Sequence, residues 1–126
     1  MTRINPIRQG EEHVLRTMEL CRTIAAEVAA LGALDQEWRS ATGERLGRLE
    51  GTLDQVKDRF ILKSKVCLPF AARCEEHARA LEQSLQALRQ DPGSDAMGAF
   101  AASLDALDKA VRTLDERSDM RGMAIT

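Results

Sequence analysis

Two Glu-Glu-His triplets, Glu11-Glu12-His13 and Glu75-Glu76-His77, hold the residue types in this sequence best suited to chemistry. Carboxylates beside imidazoles suit metal ligation or proton transfer. Within one triplet the spacing is wrong for chelation. Adjacent residues on a helix point roughly 100° apart, so three in a row fan outward. A di-iron bundle uses Glu-x-x-His, which sets both ligands on one helix face. Here Gly10 stands three residues before His13, and Cys74 three before His77. Both triplets fall near predicted helix starts, where acidic groups complement the helix dipole. The preferred reading of them is therefore structural.

The better metal candidate is Cys74 with His77, at i and i+3 on one predicted helix. His13 and Cys67 fall at the same end of the expected fold, while Cys21 lies about two helical turns away at ~3.6 residues per turn. Zinc takes three or four ligands, so the pair alone is half a site. Free cysteines are commonly small core residues. The expectation is no metal and no cofactor, with Cys74, His77 and His13 the residues that would serve if one were held. The same Cys–His pairs meet the minimum for nucleophilic catalysis. Neither an orienting third group nor an oxyanion hole is legible beside them. No phosphate-cradling glycine loop and no Cys-x-x-Cys-His occurs. The sequence supports no enzyme.

The most unusual stretch runs from Lys57 to Arg73. It carries Lys57, Arg59, Lys63, Lys65 and Arg73 against the single acid Asp58, a local charge of +4. Phe60, Ile61, Leu62, Val66, Cys67, Leu68 and Phe70 are interleaved with these bases. Phe60-Ile61-Leu62 are consecutive, so on a helix they would cover most of the circumference and could not all face one core. Two readings stay open. One is a buried hairpin corner beneath the ends of the first and fourth helices. The other is an exposed apolar patch rimmed by base, the usual signature of a partner site. Its contact residues would be Lys57, Phe60, Ile61, Leu62, Lys63, Lys65, Val66 and Leu68. The base is too sparse for nucleic acid.

Phe60-Ile61-Leu62-Lys63-Ser64 resembles the His-x-Leu-Lys-Gly segment of histidine phosphotransfer domains, which are helical bundles of similar size; Cys74 and Leu81-Glu82 extend the likeness loosely. Phe60 stands where that family phosphorylates a His, and Ser64 replaces its Gly. The resemblance covers a handful of residues and is not adopted. A degenerate relative would bind signalling partners without transferring phosphate.

The elements that must position these residues follow from apolar spacing at 3-and-4 steps. Helix 1 is predicted over about 6–31, with Asn5 as N-cap, Pro6 at N1, Gly10 as a possible delay of its start, and Gly32 as the stop. Its seam is Ile7, Val14, Met18, Cys21, Ala25 and Val28, with a second stripe through His13, Leu20, Ile24 and Leu31. Such a wide apolar arc means either the most enclosed helix or one that also faces a second chain. Helix 2 is predicted over about 35–65 on Trp38, Thr42, Leu46, Leu49, Leu53, Val56 and Phe60. Unbroken to Ser64, it would be ~45 Å long. Gly43, Gly47 and Gly51 lie off this seam and imply a weak or broken helix or, less strongly, close approach by another helix. A break there would make five helices. Pro69 should leave Leu68 extended. Helix 3 then spans 69–90, with Phe70, Cys74, Ala78, Leu81, Leu85 and Leu88 inward. Asp91-Pro92-Gly93-Ser94 is a turn, with Asp91 or Ser94 capping helix 4. That helix, about 95–117, has the cleanest seam: Met97, Phe100, Leu104, Leu107, Val111 and Leu114. Residues 119–126 read as a frayed tail. Short connections then give an all-α, antiparallel, up-down-up-down four-helix bundle in which sequence neighbours pack together.

The 126 residues suit one domain spanning 1–126. Aromatics are 3% and the net charge is −2, so no global field recruits nucleic acid or anionic lipid. No apolar run reaches the ~18–20 residues needed to span a bilayer. The first residues lack a secretory apolar stretch. Three Cys, an odd count, fit a reducing compartment. The expected location is cytoplasmic. Fourteen Arg against four Lys, with abundant Ala, suggest a GC-rich bacterial genome. The expected function is a non-enzymatic protein–protein interaction module of adaptor, regulator or chaperone type. It would bind another protein through the 57–73 corner, and self-association is expected from the wide arc of helix 1.

Overall fold

A computed structural model describes residues 6–59, 62 and 65–119. Four helices make up the fold: α1 (Pro6–Ala29), α2 (Gln36–Val56), α3 (Leu68–Gln90) and α4 (Ser94–Ser118). Their contacts are those of a four-helix bundle. The chain runs up-down-up-down, as ion pairs along the helices show. Arg22 on α1 meets Glu50 on α2 across an antiparallel pair. Glu75 pairs with Arg16, and Arg89 lies 3.8 Å from Glu27, so α1 and α3 run parallel. Arg45 with Asp105 and Arg59 with Asp115 show the same for α2 and α4.

One part of the expected packing is corrected. The main contacts join α1 to α2, α1 to α3, α3 to α4 and α2 to α4. The helices therefore follow the order α1, α2, α4, α3 around the bundle, and the sequence neighbours α2 and α3 lie diagonally. The connection over residues 57–67 makes this possible. Helix α2 stops at Val56 rather than near residue 65, and at ~1.5 Å per residue it is about 32 Å long. Beyond it the chain tightens into three-residue turns, with Arg59 N donating to Val56 O and Leu62 N to Arg59 O. Leu62 and Cys67 are buried in the core, so the crossing chain closes that end of the bundle.

The seams largely match their spacing. Thr42, Leu46, Leu49, Leu53 and Val56 are buried on α2, and Trp38 packs against the core. On α4 the whole predicted seam from Phe100 to Leu114 is buried, with Met97 packed at its edge. Each fully buried Leu contributes about 1.5–3 kcal/mol relative to an exposed one. On α3, Ala71 takes the inward position expected of Phe70, which is half-buried. The wide arc of α1 serves two neighbours. Ile24 is buried, and Leu20 and Leu31 pack against the core. Enclosure by α2 and α3 accounts for this arc, so it gives no argument for a second chain.

The helix ends add detail. Asp35 caps α2 by accepting a hydrogen bond from Trp38 N. Leu68 is the first residue of α3 rather than an extended residue before it. Pro69 sits in the first turn, where its missing N–H is one that no helical carbonyl would have accepted. Gly93, not Asp91 or Ser94, is the N-cap of α4. Helix α1 ends at Ala29, before Gly32. The Asn5 cap and the 120–126 tail lie outside the described residues.

Glycines divide into two kinds. A Cβ added at Gly43, Gly47 or Gly51 would meet nothing within 4 Å. Helix α2 runs unbroken through them, which corrects the broken-helix and the close-approach readings. Gly10 is the close-packed one. A Cβ there would sit 2.7 Å from Leu62 O, so α1 needs a glycine to let the crossing chain pass.

Candidate functional site

The 57–73 corner resolves into parts with different roles. Lys57 is half-buried and pairs with Asp54 at 2.9 Å. Arg59 is pinned to the end of α4. Its Nη1 donates to Asp115 O at 2.8 Å and Ser118 Oγ at 2.9 Å and lies 2.7 Å from Asp115 Oδ1. Leu62 is 2% exposed and belongs to the core, not to an exposed patch. Its burial follows from closing the bundle end beneath Gly10. Lys65 is exposed, Leu68 half-buried, and Val66 is 67% exposed. Val66 and Leu15 are the exposed large hydrophobics among the described residues. Phe60, Ile61 and Lys63 lie outside the described residues.

From this corner α3 rises with two contrasting flanks. Toward α1 it presents Glu75, whose side chain is 11% exposed. Arg16 Nε donates to Glu75 Oε1 at 2.9 Å, and His13 Nδ1 lies 2.8 Å from the same oxygen. Arg79, one turn along α3, donates twice to Oε2 at 2.9 and 2.7 Å. Burial alone would push the Glu75 pKa up. The hydrogen bonds from Arg16, His13 and Arg79 outweigh it and hold the carboxyl at about 2. The bond to Glu75 in turn raises the Arg16 pKa. Buried Thr17 donates to His13 O at 2.6 Å. Among the described residues no buried side-chain nitrogen or oxygen lacks a partner.

Sequence reasoning missed this cluster. It takes His13 from one Glu-Glu-His triplet and Glu75 from the other. Each triplet judged alone fans out, as expected. Their meeting required α1 and α3 to be parallel neighbours, whereas packing by sequence order sets those two helices on a diagonal.

The metal candidates do not come together. Cys74 is fully buried, His77 lines a surface groove, and His13 is engaged with Glu75. Among the described residues no group of three or more His, Cys, Asp or Glu side chains is arranged to hold a metal ion. Burial pushes the Cys21 and Cys74 thiols up to about 12, and it raises that of Cys67. Such thiols are protonated at neutral pH, the unreactive form.

Toward α4, α3 presents the opposite arrangement. Phe70, Arg73, His77, Ala106, Lys109, Ala110 and Thr113 line a groove of about 280 Å³ between the two helices. The small Ala106 and Ala110 open it. Arg117 lies over the Phe70 ring, 5.5 Å from its centroid. The side chains of Arg73, His77 and Lys109 make no hydrogen bond or ion pair with any described residue, and neither do those of the exposed Glu76 and Glu116.

Two other grooves differ in this respect. One of about 230 Å³ lies between α2 and α4, beside the Trp38–Phe100 ring contact at 5.7 Å. Its base, Arg45, is neutralised by Asp105 and Asp108. In the groove at Ala29, Gln36, Arg39 and Ser40, Arg39 donates to Leu34 O and Ala29 O. Among the described residues, the α3–α4 groove alone of these three keeps its bases without a side-chain partner.

No described helix is long and apolar enough to cross a membrane. Comparison with protein-family models, curated proteins and solved structures finds no match to this chain.

Proposed function

We propose that this chain is a non-enzymatic protein-interaction module of adaptor, regulator or chaperone type. Its binding face is the surface that begins at Lys65 and Val66 and continues along the α3–α4 groove. One observation carries the reading: apolar surface and unpartnered base coincide there. Val66 is 67% exposed, and Phe70 and Arg73 lead from it into a groove whose bases pair with no acid among the described residues. In the other two grooves the bases are engaged, Arg45 by Asp105 and Asp108 and Arg39 by the Leu34 and Ala29 carbonyls. An apolar patch rimmed by base suits protein recognition. A cytoplasmic setting fits three free, buried cysteines.

Photo-crosslinking tests this reading. A benzoylphenylalanine at Val66 should yield one discrete protein adduct in cells of the source organism. The same group at the open, exposed Gly47 should not. Adding K65E and R73E to the Val66 probe should remove the adduct. Equal labelling from both positions would sink the proposal, and an adduct with a second copy of the chain would redirect it to self-association.

A further inference from the structure

We infer that the α3–α4 groove accepts an acidic, amphipathic helical segment of a partner protein. This inference rests on the interaction reading above and goes further by naming the chemistry of the occupant. Two packed antiparallel helices leave between them a furrow into which the side chains of a third helix can settle. The furrow is apolar at its floor, where Phe70, Ala106 and Ala110 lie, and basic beside it, where Arg73 and Lys109 stand on different helices. From Phe70 to His77 the groove spans about two turns, roughly 10 Å at ~1.5 Å per residue. That length matches apolar anchors at i, i+3 or i+4 on an incoming helix, the usual mode of helix-in-groove recognition. Acidic residues flanking those anchors would meet Arg73 on one side and Lys109 on the other.

Charge complementarity selects the occupant. Arg73 and Lys109 have no acidic partner among the described residues, and Glu76 and Glu116 are exposed without pairing to them. An acidic segment would gain pairing at both bases, whereas a basic one would be repelled. Arg117 already covers the Phe70 ring, so that end of the floor is shielded until an incoming apolar side chain displaces the guanidinium. The groove is also small for a drug-sized ligand, which takes roughly 300–1,000 Å³. It suits one or two side chains presented by a helix.

The outer side of α1 bears Glu12, Leu15 and Glu19, with Leu15 45% exposed. It has the same chemistry as the proposed segment, which makes a second copy the competing occupant.

The test is a backbone-amide NMR titration of the intact protein. The probe is a synthetic helical peptide of about 14 residues, close to four turns, with Leu at i, i+3 and i+7 and Glu beside them. A control peptide carries Lys in place of every Glu. The acidic peptide should shift the amides of Phe70, Arg73, His77, Lys109 and Thr113 saturably, and the Lys peptide should not. The R73E/K109E protein should bind the acidic peptide on the order of tenfold more weakly or worse. Circular dichroism of that variant should be unchanged, because neither base holds a side-chain partner among the described residues. Three results would overturn the inference: groove amides that stay still, equal response to both peptides, or the same shifts appearing on concentrating the protein alone. Shifts confined to Lys65 and Val66 would also overturn it while leaving the interaction reading in place. Separately, failure of the Val66 probe to give any adduct without the K65E and R73E changes would remove that reading itself.

Discussion

The two flanks of α3 use similar charged groups to opposite ends. Toward α1, one carboxylate is enclosed and receives hydrogen bonds from Arg16, His13 and Arg79. Toward α4, Arg73, His77 and Lys109 line a groove and meet no acid among the described residues. The difference shows how to separate structural charge from available charge in a small bundle. A buried charge must be paired or it costs several kcal/mol. A base at a groove edge can leave its pairing to water or to a partner. The saturated flank therefore bears on stability, and the unsaturated one is the flank proposed to bind.

The largest effect is expected at Glu75. Its carboxyl is held from an ordinary 4.5 down to about 2, which corresponds to about 3 kcal/mol at ~1.4 kcal/mol per pKa unit. Glu75→Gln should lower the unfolding midpoint by about 10 °C, read by circular dichroism at neutral pH. A change below about 2 °C would mean the cluster is structurally idle.

The same group sets a pH dependence. Its folded pKa lies below the unfolded one, so its stabilisation is present above about pH 4.5 and fades as the pH falls toward 2. Unfolding midpoints measured across that window should drop steeply in the parent protein. In Glu75→Gln the drop should be shallower. Identical acid limbs would place the acid sensitivity elsewhere.

The contrast between packed and open surface extends to the glycines, with effects of intermediate size. Gly47→Ala meets nothing and should stabilise α2 by about 0.5–1 kcal/mol in denaturant unfolding. Gly10→Ala gains the same helix propensity but drives a Cβ against Leu62 O. It should destabilise by about 1–3 kcal/mol. Equal gains from both would show that the crossing chain gives way without cost.

Smallest of all should be the stability effect of Arg73→Ala with Lys109→Ala. Neither base has a side-chain partner among the described residues, so stability should change by no more than about 0.5 kcal/mol. A larger loss would show that these bases belong to the structure, and the contrast between the flanks would fail.

Much of the fold was legible because apolar periodicity survives local irregularity. The α4 seam from Phe100 to Leu114 is regular and helix-long, so it could be assigned directly. The α2 glycines misled because propensity alone was weighed. A helix held by Leu46, Leu49, Leu53 and Val56 against the core tolerates glycines on its open side. At the corner, base and apolar residues were visible, yet Leu62 and Val66 look alike in sequence and differ fully in exposure. Of the groove, Phe70 and Arg73 were in view as part of the corner. Lys109 and Thr113 were not, since nothing local distinguishes them from other residues of α4.

The sequence by itself determined four amphipathic helices, because burial of a periodic face is a local property of spacing. It also determined their alternating directions, through connections too short to reverse them. Tertiary structure alone decided that α3 lies beside α1 rather than α2, because the 57–67 crossing and its buried Leu62 are read only against Gly10 of a distant helix. From that placement follow both the saturated Glu75 cluster and the partnerless bases on the opposite flank. The pairs that Glu75 makes with His13 and Arg16 are a relation between helices, and one helix's spacing does not contain it.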